Sequence, residues 1–503
     1  MKVLLTSLNS KYIHSNLALK YLYTVVAKDH KFIDIKEFTI NNDDDYMFTE
    51  ILSGGYDVIC FSCYIWNIDE TLYLAENLKK ASPNVKIIFG GPEISFETDE
   101  FLQRNEAVDF VIMGEGEYTF VCLLDVLAAE ESNFEDIKGL GYRHDGEIVI
   151  TPSPELLVFE SIPFPYKILP CEDDKIIYFQ SARGCPFNCT YCISSLERKI
   201  RALPFNRAIK DIDYFIAMKV KQVKFVDRTF NWDDLRCNEI IKHIINKDNG
   251  ITNFHFEICG ELVTDEFLEI ISTARKGLLR FEIGVQTTNK KSLAAVKRSV
   301  AISKTLENIR KITELDNIYV HVDLIAGLPL ETYDTFKKSF NEAYGLGADA
   351  LQLGFLKLLK GTELREQAEM YGYKYREKAP YEIISSNSLT VKDLCRLKHI
   401  EKVLNLYYNK GGFAKTLSYI TSEFAETPFD LYEEFSIYFN LKGFQHKSHK
   451  KEDLYRILHE FAMWKAKKLE ISGEKLLNCL EDDMKASLNE DAVKKFKRKG
   501  WSF

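Results

Sequence analysis

The chain has 503 residues, 46% apolar and 28% charged, with a net charge of −9. That length exceeds one ordinary core and predicts two to four domains, and the composition is that of a globular protein. The acidic balance disfavours a broad phosphate-binding surface, and with it polymeric nucleic acid; no apolar run approaches the roughly 20 residues that span a bilayer.

From Met1 to about Asp145, short apolar runs alternate with amphipathic stretches. "KVLLTSL", "FIDIKEF", "DVICFSC", "VKIIFGG" and "DFVIMGEG" read as strands, and "NLALKYLYTVVAK", "DETLYLAENLKKA" and "YTFVCLLDVLAA" as helices. This predicts a doubly wound parallel sheet with ligands beyond the carboxyl ends of its strands. "FGGPEIS" and "MGEGEYT" fall at that edge. "MKVLLTSLNSKYIHS" lacks a signal peptide's longer apolar core and cleavage site, so the cytoplasm is the expected location. A hairpin-like "GLGYRHDGEIVIT" closes the unit, and residues 146–174, rich in proline, read as an extended linker.

A second series occupies 175–360: "KIIYFQSA", "QVKFVD", "NFHFEI", "LRFEIGV", "YVHVDLIAG" and "ALQLGFL". Six strands separated by helices predict a partial (β/α)6 barrel, whose chemistry gathers at the loops following its strands. From 361 to 503 the alternation is lost, and "VKDLCRLKHIEKVLNLYYNKG" and "KEDLYRILHEFAMWKAKKLE" predict amphipathic helices.

Of 11 cysteines, Cys185, Cys189 and Cys192 cluster, in "SARGCPFNCTYC" directly after the first barrel strand. A structural zinc site or an ordinary cubane takes four ligands. Three thiolates on one loop can hold three irons of a [4Fe–4S] cube and leave the fourth open to a chelating small molecule. A zinc loop with a distant fourth ligand, or incidental cysteines, is the competing reading. Gly184 and Pro186 suit a loop folded around a bulky group, and Tyr191 sets an aromatic edge beside Cys192. Cys60 and Cys63 form a C-x-x-C, readable as a redox or metal pair; their spacing at a strand end puts them on opposite sides and favours burial. Cys122, Cys171, Cys237, Cys259, Cys395 and Cys479 show no ligand spacing.

At C-x-x-x-C-x-aromatic-C the sequence resembles the radical S-adenosylmethionine (SAM) superfamily. The resemblance implies that SAM chelates the open iron and is cleaved by one electron to a 5′-deoxyadenosyl radical. "FEIGVQTTNKKSLAAVKRS" and "HVDLIAGLPLET" resemble that superfamily's fourth and fifth strands. They imply Gln286 and Arg298 as SAM contacts, Arg298 to the carboxylate, and Asp323 as a ribose ligand, with Glu257 and Glu282 as further strand-end candidates and Tyr191 of the cysteine loop as a further SAM-binding candidate. A Gly-Gly-Glu segment common after the second strand is replaced by "FVDRTFNWD", where Asp227 is the candidate substitute with a shorter side chain.

The doubly wound domain before such a barrel resembles the cobalamin-binding branch, a likeness carried by "IIFGGPEIS" and "FVIMGEGEYTF". It implies a cobalamin site at Gly90, Gly91, Pro92, Gly114, Glu115 and Gly116, with Glu115 meeting amides or ribose or capping the next helix. No D-x-H-x-x-G occurs, so base-off cobalamin is expected, its lower face near "CFSCYIWN". There Ser62, Tyr64 and Trp66 are candidates, Tyr64 and Trp66 shielding cobalt or packing in the core; His14 reads as a surface or loop histidine. "APYEIISSNSLTVKDLCRLKHIEKVLNLYYN" is similar to the uncharacterised DUF4080 domain of one branch.

The family analogy implies an enzyme, a methyltransferase that moves a methyl group from methylcobalamin to a substrate carbon radical. The substrate is a small molecule, lipid or peptide, and reduced ferredoxin or flavodoxin is the electron donor. A cyclase or rearrangement enzyme uses the same cofactors without methyl transfer. A methylthiotransferase needs three dispersed N-terminal cysteines that this spacing does not supply, and a non-catalytic cobalamin or redox sensor leaves the cysteine triad without a purpose.

Overall fold

The computed structural model describes residues 1–30, 32–491 and 493. Its first sheet holds β1 (Val3–Asn9), β2 (Ile33–Thr39), β3 (Val58–Ser62), β4 (Lys86–Gly90), β5 (Phe110–Ile112), β6 (Leu140–His144) and β7 (Glu147–Ile150). The order is β2-β1-β3-β4-β5-β6-β7. β1 to β5 pair in parallel, while β6 and β7 form the expected hairpin and extend the sheet antiparallel past residue 145.

Alternation along the strands splits this sheet's apolar residues between two cores. Leu4, Leu8, Phe61 and Phe89 pack with helices Asp44–Leu52, Ile68–Ala81 and Thr98–Arg104. Val3, Leu5, Cys60 and Ile88 pack on the other face with helices Leu17–Val26 and Gly116–Ala128. Cys60 and Cys63 fall in different cores, as their spacing predicts. Strand order reverses between β1 and β3, so the helices that follow them leave on opposite faces. A crevice opens between them at the carboxyl edge. Asn16 fixes the helix start beside it, accepting from the Leu19 amide at 3.2 Å.

The second sheet begins with β8 (Ile177–Phe179). A short antiparallel pair, β9 (Ala182–Arg183) and β10 (Arg201–Ala202), brackets the cysteine loop. Then follow β11 (Gln222–Phe225), β12 (Asn253–Ile258), β13 (Leu279–Gln286), β14 (Tyr319–Ala326) and β15 (Ala350–Phe355). Six strands are parallel in the order β8-β11-β12-β13-β14-β15, and β8 and β15 do not pair. This is the expected partial barrel. Phe225, Phe256, Phe281 and Val322 face outward into one core beneath the helices, so the intervening Lys224, His255, Glu257, Glu282, His321 and Asp323 face inward.

The proline-rich stretch before the barrel is extended but anchored. Phe159, Ile162, Phe164 and Tyr166 are buried, and Phe164 and Tyr166 pack edge-on against Phe215 at 5.3 and 5.2 Å. Each fully buried large apolar side chain contributes roughly 1.5–3 kcal/mol, enough to fix the path of a segment without regular structure.

The C-terminal region is helical, with Val391–Leu404, Ala414–Phe424, Pro428–Leu441, Lys451–Lys468 and Glu474–Ser487, preceded by a two-stranded pair, β16 (Lys374–Tyr375) and β17 (Ile383–Ser385), that its composition does not announce. Its core is continuous with the barrel's: Phe429 and Tyr432 meet Phe340 on barrel helix Tyr333–Tyr344 at 5.4 and 5.9 Å.

Candidate functional site

The cysteine loop is shaped by its backbone. Gly184 sits at φ 94°, and a Cβ there would lie 2.6 Å from the Lys199 carbonyl oxygen; only glycine takes this turn without strain. The Cys185 amide donates to the Glu197 carbonyl at 2.9 Å, and the Cys192 amide to the Cys189 carbonyl at 3.1 Å. Thr190 ties the loop to two distant segments, its amide donating to Val296 O at 3.1 Å and its carbonyl accepting from the Leu364 amide at 2.9 Å. All three thiols are free, with Cys185 and Cys189 buried and Cys192 half-buried. Cys185 Sγ lies 3.5 Å from Thr229 Oγ1, and Cys189 Sγ lies 3.9 Å from Arg298 Nη1. Burial pushes the Cys189 thiol up while Arg298 works against it. Tyr191 packs among Val296, Leu328 and Leu364. Three free sulfurs on one pinned loop, with a cation beside one of them, fit an anionic cluster.

Inside the barrel, the predicted SAM contacts come together at the carboxyl ends of β12, β13 and β14. Gln286 follows a bulge at Gly284, in the left-handed region at φ 66°. Arg298 donates to the Gly284 carbonyl and thereby lies beside both Gln286 and Cys189. Gln286 Oε1 and Asp323 Oδ1 are buried without a hydrogen-bond partner. Buried acceptors seldom stay unpaired, and two that converge near the cysteine loop match a ligand bearing hydroxyl and ammonium donors.

Charge in the barrel is compensated one layer below. Glu282 accepts from Lys224 at 2.9 Å and from His255 at 3.1 Å, while His321 Nε2 lies 3.3 Å from Asp323 Oδ1 without hydrogen-bond geometry. Burial alone would raise the Glu282 carboxyl; the His255 hydrogen bond and the Lys224 charge hold it well below the usual range. Burial, with Glu282 and Glu257 adding to it, pushes the Asp323 carboxyl up. Glu257 is raised by the same burial. Glu282, His321 and Asp323 bring ligand atoms within 4.8 Å of one another. With the Lys224 ammonium already on Glu282, however, that trio has its cation.

Asp227 is placed differently from the other SAM candidates. It is buried, one oxygen accepting from the Ser181 amide at 2.7 Å and the other from the Ser181 hydroxyl. Burial pushes its carboxyl up to about 6. Both oxygens therefore brace the strand leading into the cysteine loop.

A cavity of about 710 Å³ lies between the carboxyl edge of the first sheet and the mouth of the barrel, within the range of cofactor pockets. Ser62, Tyr64, Trp66, Gly90, Gly91, Pro92, Gly114, Glu115 and Gly116 all line it, as do Gly184 and Ile193 at the two ends of the cysteine loop. At Gly91, φ is 117° and a Cβ would meet Cys63 O at 2.4 Å, so this wall is bare backbone. Trp66 and Tyr64 stack at 4.3 Å and 6°, with Trp66 43% exposed. A flat macrocycle fits such a wall of glycine backbone and stacked rings. The Glu115 carboxylate is taken up by Arg183, Arg201 and the Leu157 amide. The SAM candidates Gln286, Arg298 and Asp323 are not among the lining residues.

Several participants escaped sequence reasoning. His14 lines the cavity, its Nδ1 2.7 Å from the Tyr178 hydroxyl; burial lowers its pKa. Arg183 and Arg201 bridge the two sheets through Glu115. Arg183 stands immediately before Gly184 in the cysteine stretch, and that position was its one available signal.

Residues 3–124 match a family model described as a B12 binding domain, 179–343 the radical SAM superfamily, and 369–500 a protein of unknown function, DUF4080. Over 359 residues the chain is 25% identical to the cobalamin-dependent radical SAM methyltransferase TokK of Streptomyces tokunonensis, a match covering 65% of this chain and 50% of TokK. It is 25% identical over 368 residues to an uncharacterized methyltransferase of Pyrococcus horikoshii, covering 70% of this chain and 78% of the relative. Among solved structures, the cobalamin-dependent S-adenosylmethionine radical enzyme OxsB, with aqua-cobalamin and S-adenosylmethionine bound, shares the fold at a TM-score of 0.64 and 14% identity, covering 100% of this chain and 84% of that one.

Proposed function

We propose, from the premise that the chain belongs to the cobalamin-binding radical SAM family with a C-terminal DUF4080 region, that it is a methyltransferase placing a methyl group on an unactivated carbon of a small molecule. Its cofactors are a [4Fe–4S] cluster, SAM and cobalamin. When bound, they supply one-electron hydrogen abstraction and a transferable methyl group.

The observation that carries the reading is the single cavity reaching from the glycine loops after β4 and β5 to both ends of the cysteine loop. A substrate held there lies between the two cofactor regions, so positioning replaces a diffusive encounter. Cys185, Cys189 and Cys192 hold the cluster. Arg298 receives the SAM carboxylate and helps balance the charge of the thiolates. Gln286 accepts at the methionyl end, and Asp323 accepts from ribose hydroxyls. Gly91 admits the corrin edge, and the Tyr64–Trp66 stack floors the cavity. Reduced ferredoxin or flavodoxin is the electron source. The methyltransferase names of two relatives support the choice of reaction.

Mass spectrometry with methyl-deuterated SAM tests the proposal on the anaerobically reconstituted protein and candidate substrates. A product carrying the labelled methyl supports transfer. A modified product without label identifies a rearrangement or cyclisation instead.

A further inference from the structure

We propose that Glu331 is a positioning residue, holding Gln286 toward SAM through a dry hydrogen-bond knot with Thr287 and Ser339. This rests on Gln286 being a SAM contact. Two non-glycine residues here adopt left-handed backbone, Gln286 at φ 66° and Leu330 at φ 61°. Such conformations persist only where the surroundings over-determine them. Between them, Thr287, Glu331 and Ser339 are each 0% exposed.

The knot leaves little slack. Thr287 Oγ1 donates to Glu331 Oε1 and accepts from the Asn289 amide at 3.0 Å. Ser339 Oγ lies 3.1 Å from Thr287 Oγ1, accepts from the Thr288 amide at 3.0 Å and donates to Thr335 O at 3.1 Å. Asn289 Nδ2 donates to the Leu330 carbonyl at 3.3 Å. The three residues after Gln286 are thus tied to Glu331, to its neighbour Leu330 and to helix Tyr333–Tyr344. No solvent reaches this place to replace a lost acceptor. Without the Glu331 carboxyl, Thr287 keeps only Ser339 Oγ within reach, an oxygen that already accepts from the Thr288 amide, and the turn relaxes toward an ordinary φ. The Gln286 oxygen, at present buried and unpartnered, then swings out of line.

The protonation state follows from the same dryness. Burial pushes the Glu331 carboxyl up to about 8, against the Thr287 and Ser339 hydroxyls. The titratable side chain facing it is Tyr373, whose hydroxyl donates to Gly327 O at 2.8 Å. No charged side chain acts on Glu331 among the described residues. The acid is neutral at pH 7, and its ionisation above pH 8 loads the knot with an uncompensated charge.

The test uses the full chain, reconstituted anaerobically with its cluster, and equilibrium dialysis with SAM from pH 6.5 to 9. Glu331→Ala is expected to weaken SAM binding at least about tenfold with iron content unchanged. Glu331→Gln, neutral and of equal size, keeps wild-type affinity at pH 7 and lacks the wild-type decline above pH 8. Ser339→Ala, a smaller lesion in case Glu331→Ala fails to hold the cluster, weakens binding in the same direction. Wild-type affinity in both alanine variants, or an unchanged alkaline decline in Glu331→Gln, overturns the positioning role alone. Wild-type affinity in Gln286→Ala removes Gln286 as a SAM contact, and the proposal with it.

Discussion

Arg183 and Glu115 meet across the seam of the molecule, Nη1 of the arginine donating to Oε1 of the glutamate at 3.0 Å. Arg183 precedes the turn into the cysteine loop, and Glu115 lies in the glycine segment after β5. Nη2 of the same guanidinium donates to Glu117, and its Cζ lies 4.7 Å from the Phe159 ring centre. One largely buried side chain thus joins the start of the cysteine loop to the glycine segment of the first sheet. Burial works against the Arg183 charge, and Glu117 and Glu115 overcome it.

Breaking this contact from one side strands a buried carboxylate. Arg183→Met is expected to cost about 3–5 kcal/mol, the usual penalty for removing one partner of a buried pair, read as a lower urea midpoint. Pairing it with Glu117→Leu should restore at least half of that loss. An Arg183→Met chain as stable as the parent means the pair is not holding the seam.

The three cysteines and the cavity glycines should be separable by what each loses. Replacing Cys185, Cys189 or Cys192 with Ala is expected to abolish cluster absorption after anaerobic reconstitution while cobalamin stays bound. Gly91→Ala should do the reverse, because its Cβ would collide with the Cys63 carbonyl at 2.4 Å in the cavity wall. Simultaneous loss of both cofactors from either class of variant would show general unfolding instead.

Asp227 sets a pH dependence of stability whose sign is opposite to that of a salt-bridged carboxylate. Its folded pKa is raised from 3.8 to about 6, so the folded state holds the extra proton between those values. Its contribution is complete below pH 3.8 and is lost as pH rises through 6, to the extent of about 3 kcal/mol. Asp227→Asn, which keeps an acceptor for the Ser181 amide, is expected to gain on wild type from pH 4 to 7 in urea titrations. Parallel curves for the two proteins across that range would remove the claim. SAM affinity should survive the change, since both Asp227 oxygens already serve Ser181.

Lys224 should matter through Glu282. Lys224→Met removes the ammonium 2.9 Å from that carboxylate and leaves His255 as its remaining donor. The expected result is a His255 that titrates higher, visible as a shifted imidazole resonance, and a destabilisation of about 2–4 kcal/mol. An unmoved His255 would mean that Lys224 does not set the charge of the barrel interior.

Much of the architecture was legible because local periodicity reports it. The alternating runs up to Phe355 gave the parallel strands of both sheets, and the cysteine loop lay directly after β8 as its position required. All nine cobalamin candidates line one cavity, because glycine-bearing loops at the carboxyl ends of parallel strands are gathered there by topology. The pair β16 and β17 escaped because it lies in "YKYREKAPYEIIS", where charged residues and a proline interrupt any apolar run. The reach of β7 to Ile150 blurred the first unit's end, since a hairpin strand and the start of an extended linker look alike in sequence.

What the sequence determined by itself is therefore the set of local elements and the chemistry one loop can host: three thiols spaced for a cluster, glycines where backbone must be bare, and apolar periods that choose strand or helix. Tertiary structure alone decided which polar groups already have partners. Glu115 is drawn to two arginines and Asp227 to Ser181, while Gln286 and Asp323 keep unpaired oxygens. Those outcomes turn on side chains far apart in the chain meeting where water is excluded. A hydrogen bond formed across such a distance leaves no period or spacing to read.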